Sequence, residues 1–279
     1  MARSAVRAGC GMLIITVTAT AVDGGAWSRD RSEVFAKVSW IAYDAHQIRT
    51  DLQQGLRSPD NPDDALDLEF RSRFESRQAF VYVEYGLHER LTLVLTGVAG
   101  ELVLSERLAT RSTSGLGDVQ LGLRYQWLQT PVVAASSLRL KVPGLYDDDD
   151  APIMGTGEFD VDGSVLISRS LGSLYGGVEG GIRLRGGLYS NQLPLAAEIG
   201  LVQPRTAAKL YYRHTVTLAD AAQLRADGLP FLEGDSRRLG MELSLRLAGA
   251  LWVDAGWEEV FEGENIGAGR AWTVGLHIQ

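Results

Sequence analysis

The chain has 279 residues, a formal net charge of −8 and 45% hydrophobic residues, with a mean hydropathy of −0.03. That average excludes a helical membrane protein, which needs several apolar runs of about 20 residues, and leaves a soluble β-rich protein or a transmembrane barrel, whose alternating strands average to neutrality. The acidic balance lacks the basic footprint of a nucleic-acid binder, and 32 glycines against 8 prolines lean towards a barrel, where small residues ease strand curvature.

Residues 1–24 read as a secretory signal peptide. Arg3 and Arg7 supply the positive start, Met12 to Val17 the short apolar core, and Ala19-Thr20-Ala21 an A-x-A-like cleavage site. Val22-Asp23-Gly24 or Gly24-Gly25-Ala26 serve as alternative cuts. The single cysteine, Cys10, lies inside that segment, so residues 25–279, read as one barrel domain, have no disulfide staple and no thiolate metal site.

Val34, Ala36, Val38, Trp40 and Ala42 then alternate with Glu33, Phe35, Lys37, Ser39 and Ile41. A period of two puts successive side chains on opposite faces of a strand. Asp44 to Ala65, with Gly55, Pro59 and Pro62, reads as a long loop. Leu66, Leu68, Phe70, Ser72 and Phe74 face Asp67, Glu69, Arg71, Arg73 and Glu75, after which the phase changes to Ala79, Val81, Val83 and Tyr85. That change predicts a β-bulge near Glu75 to Gln78 in preference to a tight turn. The short join at Leu87 to Arg90 makes its flanking strands antiparallel neighbours.

A polar connector, Ser105 to Ser114, leads to GLGDVQLGLRYQWL, Gly115 to Leu128. Here Gly117, Val119, Leu121, Leu123, Tyr125 and Trp127 share one face, and Asp118, Gln120, Gly122, Arg124 and Gln126 the other. The chain returns through Leu138, Leu140 and Val142, opposite Arg139 and Lys141, to the acidic loop LYDDDDAPIMGTG. Further strands follow over Phe159 to Ile167, Leu174 to Leu184, Leu193 to Leu201 and Leu210 to Val216. After the loop Ala219 to Asp235 come Leu239 to Leu247, Leu251 to Trp257 and a last strand through Trp272, Val274, Leu276 and Ile278.

Connections alternate short and long along the chain. Outer-membrane barrels sort their turns this way, with an even number of antiparallel strands, and the count here is about twelve with both termini on the short-turn side. Charged residues recur on the second face: Arg71, Arg73, Asp118, Arg124, Arg139, Glu179, Arg183, Glu198, Lys209, Arg213, Glu242, Arg246 and Asp254. A sandwich core would not bury so many ions, whereas a polar lumen accommodates them. Mixed signs allow either an open pore or an electrostatically cross-linked plug. Tyr85, Tyr125, Trp127, Trp257 and Trp272 fit interfacial girdles, with Tyr125 and Trp127 on the short-turn side beside Pro131.

Together, VEYGLHERLTL, GLGDVQLGLRYQWL, LRLKVPG and GTGEFDVDGSVLISRSLG resemble the outer-membrane barrels of the meta-pathway-of-phenol-degradation group, a group similar to the functional-amyloid export channel and to XagA-like proteins. The resemblance runs from about Gly25 to the C-terminus and implies a twelve-stranded transmembrane antiparallel up-and-down β-barrel with a transport or secretion role. The amyloid export channel has an additional N-terminal plug segment, whereas here the first strand begins soon after the leader, so amyloid export itself is not expected. The last residue is Gln279 where the final strand of such barrels usually ends on an aromatic.

Sites with catalytic or metal chemistry are not assembled by spacing. Asp147 to Asp150 with Glu158, Asp160 and Asp162 match no calcium loop and read as a solvated segment. His46, His88, His214 and His277 show no metal-ligand spacing. His214 lies by parity on the apolar face, but Val216 stands where a lipid-acting barrel enzyme would need a serine. Asp160 with Asp162, and Glu258 with Glu259, gather no further groups for acid–base work. The expectation is a non-enzymatic bacterial outer-membrane channel without cofactor. Its partners are outer-membrane lipid and a small, aromatic or hydrophobic molecule or a secreted polypeptide; self-association is allowed. A closed barrel displaying its loops is the alternative.

Overall fold

Twelve antiparallel strands close into a barrel in the computed structural model, which describes residues 25–49, 73–105, 109–146, 152–187, 189–218, 235–263 and 266–279. The predicted signal peptide and Arg71 lie outside these residues. The strands are β1 (Val34–Arg49), β2 (Arg73–His88), β3 (Leu91–Ser105), β4 (Thr110–Leu128), β5 (Val133–Val142) and β6 (Asp160–Leu171). They continue as β7 (Leu174–Arg185), β8 (Gln192–Val202), β9 (Thr206–Thr217), β10 (Ser236–Ala248), β11 (Leu251–Gly263) and β12 (Ile266–Ile278). Each pairs with its sequence neighbours, and β1 with β12 closes the ring from Ala36 opposite Ile278 to Arg49 opposite Ile266.

Alternation sets the wall. On β10, Leu239, Met241, Leu243, Leu245 and Leu247 are exposed on the outside while Arg238 and Gly240 are buried inside. A closed sheet satisfies every ladder donor and acceptor within the ring, so no polar edge is left to face lipid. Two-residue hairpins need positive φ, and glycine supplies it at Gly172 (φ 64°) and Gly249 (φ 51°).

The structure corrects several expectations. β2 alternates without a break from Phe74 to Glu84, and its registers with β1 and β3 show no shift between Glu75 and Gln78. Neither bulge nor turn exists there: Phe74 belongs to the inner face, together with Phe80 and Tyr82. Arg73 therefore points outward at the strand end, exposed, and pairs with Asp44 and Glu75. The Ser105 to Ser114 connector is mostly strand, since β3 ends at Ser105 and β4 starts at Thr110. Gly117 is not on the outer face; Gly117 and Asp118 are both buried, consecutive residues that bulge at the β3–β4 register shift beyond Gly97. Nor do short and long connections alternate strictly. β3–β4, β7–β8 and β11–β12 have brief links on the nominally long side, so length is concentrated in the β1–β2, β5–β6 and β9–β10 loops.

The inside is also not uniformly polar. Phe35, Ile41, Tyr43, Phe74, Phe80, Tyr82, Val94, Leu102 and Leu104 form one buried cluster with Met154 and Val260, making the inner wall of β1–β3 largely apolar. Most inward ions stand on the rest of the ring, β4 to β11, with Lys37 on β1 and Glu84 on β2 beside the apolar wall.

Candidate functional site: the occluded lumen

Residues 25–33 turn into the short-turn mouth of the barrel. Ala26 is fully buried against Val133, Ala135 and Leu166, with Trp27 packed on the same cluster. The Trp27 ring meets Tyr175 edge-on at 5.9 Å. Polar contacts fix the segment to separate strands: the Ala26 amide donates to Ser168 Oγ at 3.2 Å, the Ser28 amide to Gln126 Oε1 at 2.9 Å, and the Arg29 amide to Thr92 Oγ1 at 2.9 Å. Ser32 (φ 66°) then reverses the chain, donating its amide to the Gly86 carbonyl at 2.8 Å, while the Gly86 amide donates to the Glu33 carbonyl at 2.9 Å. A Cβ on Gly86 would lie 1.8 Å from the Asp30 carbonyl oxygen, so this crossing requires glycine.

Glu84 anchors the segment from below. Its carboxylate is fully buried and accepts from Arg29 Nε, from the Tyr82 hydroxyl and, at 2.7 Å, from Arg124 Nη2. A buried carboxylate is tolerable when its lone pairs are filled and its charge matched, which is the arrangement here.

From the other end, residues 152–157, which precede β6, fold inward. Ile153, Met154 and Thr156 are buried, and Met154 joins the apolar cluster. Lys141 Nζ donates to Thr156 Oγ1 and pairs with Asp118 at 3.0 Å and Asp160 at 2.8 Å. Tyr146 donates its hydroxyl to Asp118 and accepts the Gly157 amide at 2.8 Å. Burial first, and then the bond to Asp118, push the Tyr146 hydroxyl well above the ordinary phenol range. Asp160 and Asp162 thus serve as counter-ions, Asp162 taking Arg183 through two nitrogens at 2.7 and 3.2 Å.

Three more groups of ion pairs line the lumen. Arg139 Nη2 donates to Glu179 at 3.1 Å and Arg213 Nη1 to Glu258 at 3.0 Å, with Arg238 3.5 Å from the same Glu258 carboxylate. Lys37 on β1 reaches across to Glu242 at 2.7 Å and lies 3.8 Å from Asp254. Lys209 stands 3.8 Å from Glu242. Asp254 also takes Ser244 Oγ at 2.6 Å and His277 Nδ1 at 2.8 Å, and the His277 ring stacks on Trp252.

Of the residues singled out by sequence, Asp118, Arg124, Arg139, Glu179, Arg183, Lys209, Arg213, Glu242 and Asp254 face inward and take part in these networks; Glu198 is buried on β8. Arg246 does not line the lumen wall. It keeps the inward parity of β10 but stands near the strand's exposed end, next to the β10–β11 turn, where it bonds the Gly249 carbonyl. Tyr85, Tyr125 and Trp127 are exposed on the outer surface near the short-turn end, and Trp272 lies further up opposite Trp257. Just beyond that pair, Glu259 meets Arg270 at 3.3 Å. His214 is on the outer face near Tyr212.

Glu84, Lys37, Arg238 and His277 were missed as site residues, although their inward parity was readable. The missing signal was their partners, which come from strands far apart in sequence. Among the described residues no group of three His, Cys, Asp or Glu side chains could hold a metal ion, and no helix is long and apolar enough to cross a membrane.

No family model matches the chain, and no curated protein matches it in sequence. Solved structures do match its fold. The COG4313 outer membrane channel from Pseudomonas putida F1 is similar with a TM-score of 0.68 at 14% identity, over 91% of this chain and 98% of that one. The NanC porin is similar with a TM-score of 0.54 at 8% identity, over 87% of this chain and 99% of that one. The KdgM porin gives 0.50 at 5% identity, over 87% and 98%. Fold and neighbours together give this chain the closed antiparallel β-barrel architecture that these outer-membrane channels and porins share.

Proposed function

From the premise of a closed outer-membrane barrel, we propose a channel for small molecules with apolar or aromatic surface, held shut at rest by residues 25–33. Short turns and termini share one end, the periplasmic end in barrels of this kind, so the stopper stands on the periplasmic side. Tyr85, Tyr125 and Trp127 then mark the periplasmic border of the lipid belt, and Trp257 and Trp272 the outer one.

The observation that carries this reading is how the stopper is held. From Ala26 to Arg29 it is held to the wall by hydrogen bonds to side chains, the Arg29–Glu84 ion pair and a small apolar patch, and main-chain pairing with β2 begins only at the Ser32–Gly86 crossing. The inward apolar cluster of β1–β3 supports apolar solutes. A lumen crossed by ion pairs does not support passage of a polypeptide. Planar-bilayer conductance tests the proposal: removing residues 26–31 should produce a larger, steadier current than the full chain gives. Equal absence of current in both proteins would refute the channel and favour the closed barrel that displays loops, the reading supported by the cross-linked charges.

A further inference from the structure

On the outer wall, charge begins at the aromatic border of the belt. Arg77 on β2, Ala42 on β1, Trp272 on β12 and Trp257 on β11 stand in one row across four neighbouring strands, all on the outward face. The row towards the short turns is apolar: Ala79, Trp40, Val274 and Ala255. The row on the other side is ionic: Glu75, Asp44, Arg270 and Glu259. A groove of about 770 Å³, open to the outside, lies at this step. Ala42 and Ala268 leave room in it, and Trp272 and Phe261 add apolar lining.

The charges at this step are not matched alike. Arg73 pairs with Asp44 at 2.8 Å and with Glu75 at 3.0 Å, and Arg270 with Glu259 at 3.3 Å. Those arginines occupy the carboxylates of the ionic row. Arg77 lines the groove, yet its exposed side chain makes no ion pair or hydrogen bond among the described residues. Its cross-strand neighbour on β3, Glu101, does not line the groove. A guanidinium at the edge of a lipid belt keeps its head at the headgroup level, where anionic lipids attract it.

We infer that this groove seats a phosphorylated lipid of the outer leaflet, its phosphate on Arg77 and its acyl chains running down the apolar row beside Trp272. The site is continuous with the lipid-facing belt and lies on the opposite wall surface from the lumen networks. The assignment to the outer leaflet rests on the membrane orientation proposed above; the lipid contact itself is independent of conduction.

Native mass spectrometry of the full chain in detergent tests it, with bisphosphorylated lipid A, the same lipid stripped of its phosphates, and inorganic phosphate as competitor. The bisphosphorylated lipid should bind about ten-fold tighter than the stripped one, the worth of one charge-assisted hydrogen bond. Arg77→Gln should erase that preference, and Arg77→Lys should keep part of it. Ala42→Phe fills the groove without touching a charge and should weaken binding of the lipid. Arg169→Gln removes an exposed outward arginine at the short-turn end of β6 and should leave binding unchanged. Unheated gel mobility identifies the variants that fold. Equal affinity for the two lipids would overturn the inference, as would an equal loss in Arg169→Gln and Arg77→Gln, or displacement of the lipid by an equal concentration of inorganic phosphate. Binding in detergent needs no current, so a failed conductance test refutes the channel without touching this result, and equal lipid affinities leave the channel standing.

Discussion

Replacing Glu84 by glutamine should be the most costly single change in the lumen. The substitution keeps shape but removes the charge that faces Arg29 and Arg124. The two arginines respond differently. Arg29, 17% exposed, can swing towards the mouth, whereas Arg124, 5% exposed, is left as a buried cation without its carboxylate. Breaking a buried pair in this way costs about 3–5 kcal/mol, while the stopper, released from its anchor, should loosen. Urea unfolding from lipid vesicles, followed by tryptophan fluorescence, reads the first effect, and bilayer conductance the second. Adding Arg124→Gln removes the stranded charge and should bring the double variant back to within about 1–2 kcal/mol of the parent, since two matched neutral groups replace an ion pair at little cost. The reasoning fails if Glu84→Gln unfolds like the parent, or if the double variant is no more stable than the single one.

Other changes separate wall, stopper and loop. Gly86→Ala leaves β2 backbone geometry allowed but drives a methyl into the Asp30 carbonyl; the barrel should fold while residues 25–33 become open to protease, and a protected N-terminus would contradict the crossing. Leu243→Arg places a charge on the lipid face and should cost about 2–4 kcal/mol if mid-membrane, measured in the same vesicle assay; no loss would mean that this face does not meet lipid. Because burial and Asp118 raise the Tyr146 pKa, its bond is fully present below the ordinary phenol range and is lost only as pH rises well above it. In absorbance titration at 295 nm, Tyr146→Phe should therefore delete a late-ionising phenol, and deletion of one ionising near pH 10, about the ordinary value, would refute its burial.

Where one face was apolar and the other polar, the fold was plain in the sequence. β4 from Val119 to Trp127 and β10 from Leu239 to Leu247 took the orientation that parity assigned. β2 misled because its inner face is itself apolar: with Phe74 and Phe80 inside and Arg73, Glu75 and Arg77 outside at the strand end, the hydrophobic pattern reverses. A pattern rule knows two faces but not which one closes on itself. The charged lumen was likewise visible as a set of side chains, yet its wiring was not, since Lys37 meets Glu242 across the ring closure. The stopper was hidden for a different reason. Ala26 to Arg29 carry no periodicity, and their partners Ser168, Gln126 and Thr92 become neighbours only in the closed barrel.

That last dependence has a consequence for assembly. Every strand pair but one joins sequence neighbours, whereas β1 and β12 must find each other from opposite ends of the chain, and such distant pairing is the slow part of forming a sheet. The docking site of Trp27 beside Tyr175 is complete only once hairpins from separate parts of the chain stand in one ring. The indole is therefore a built-in timekeeper of biogenesis: its burial should lag behind the appearance of β structure and coincide with the final zipping of the first strand to the last.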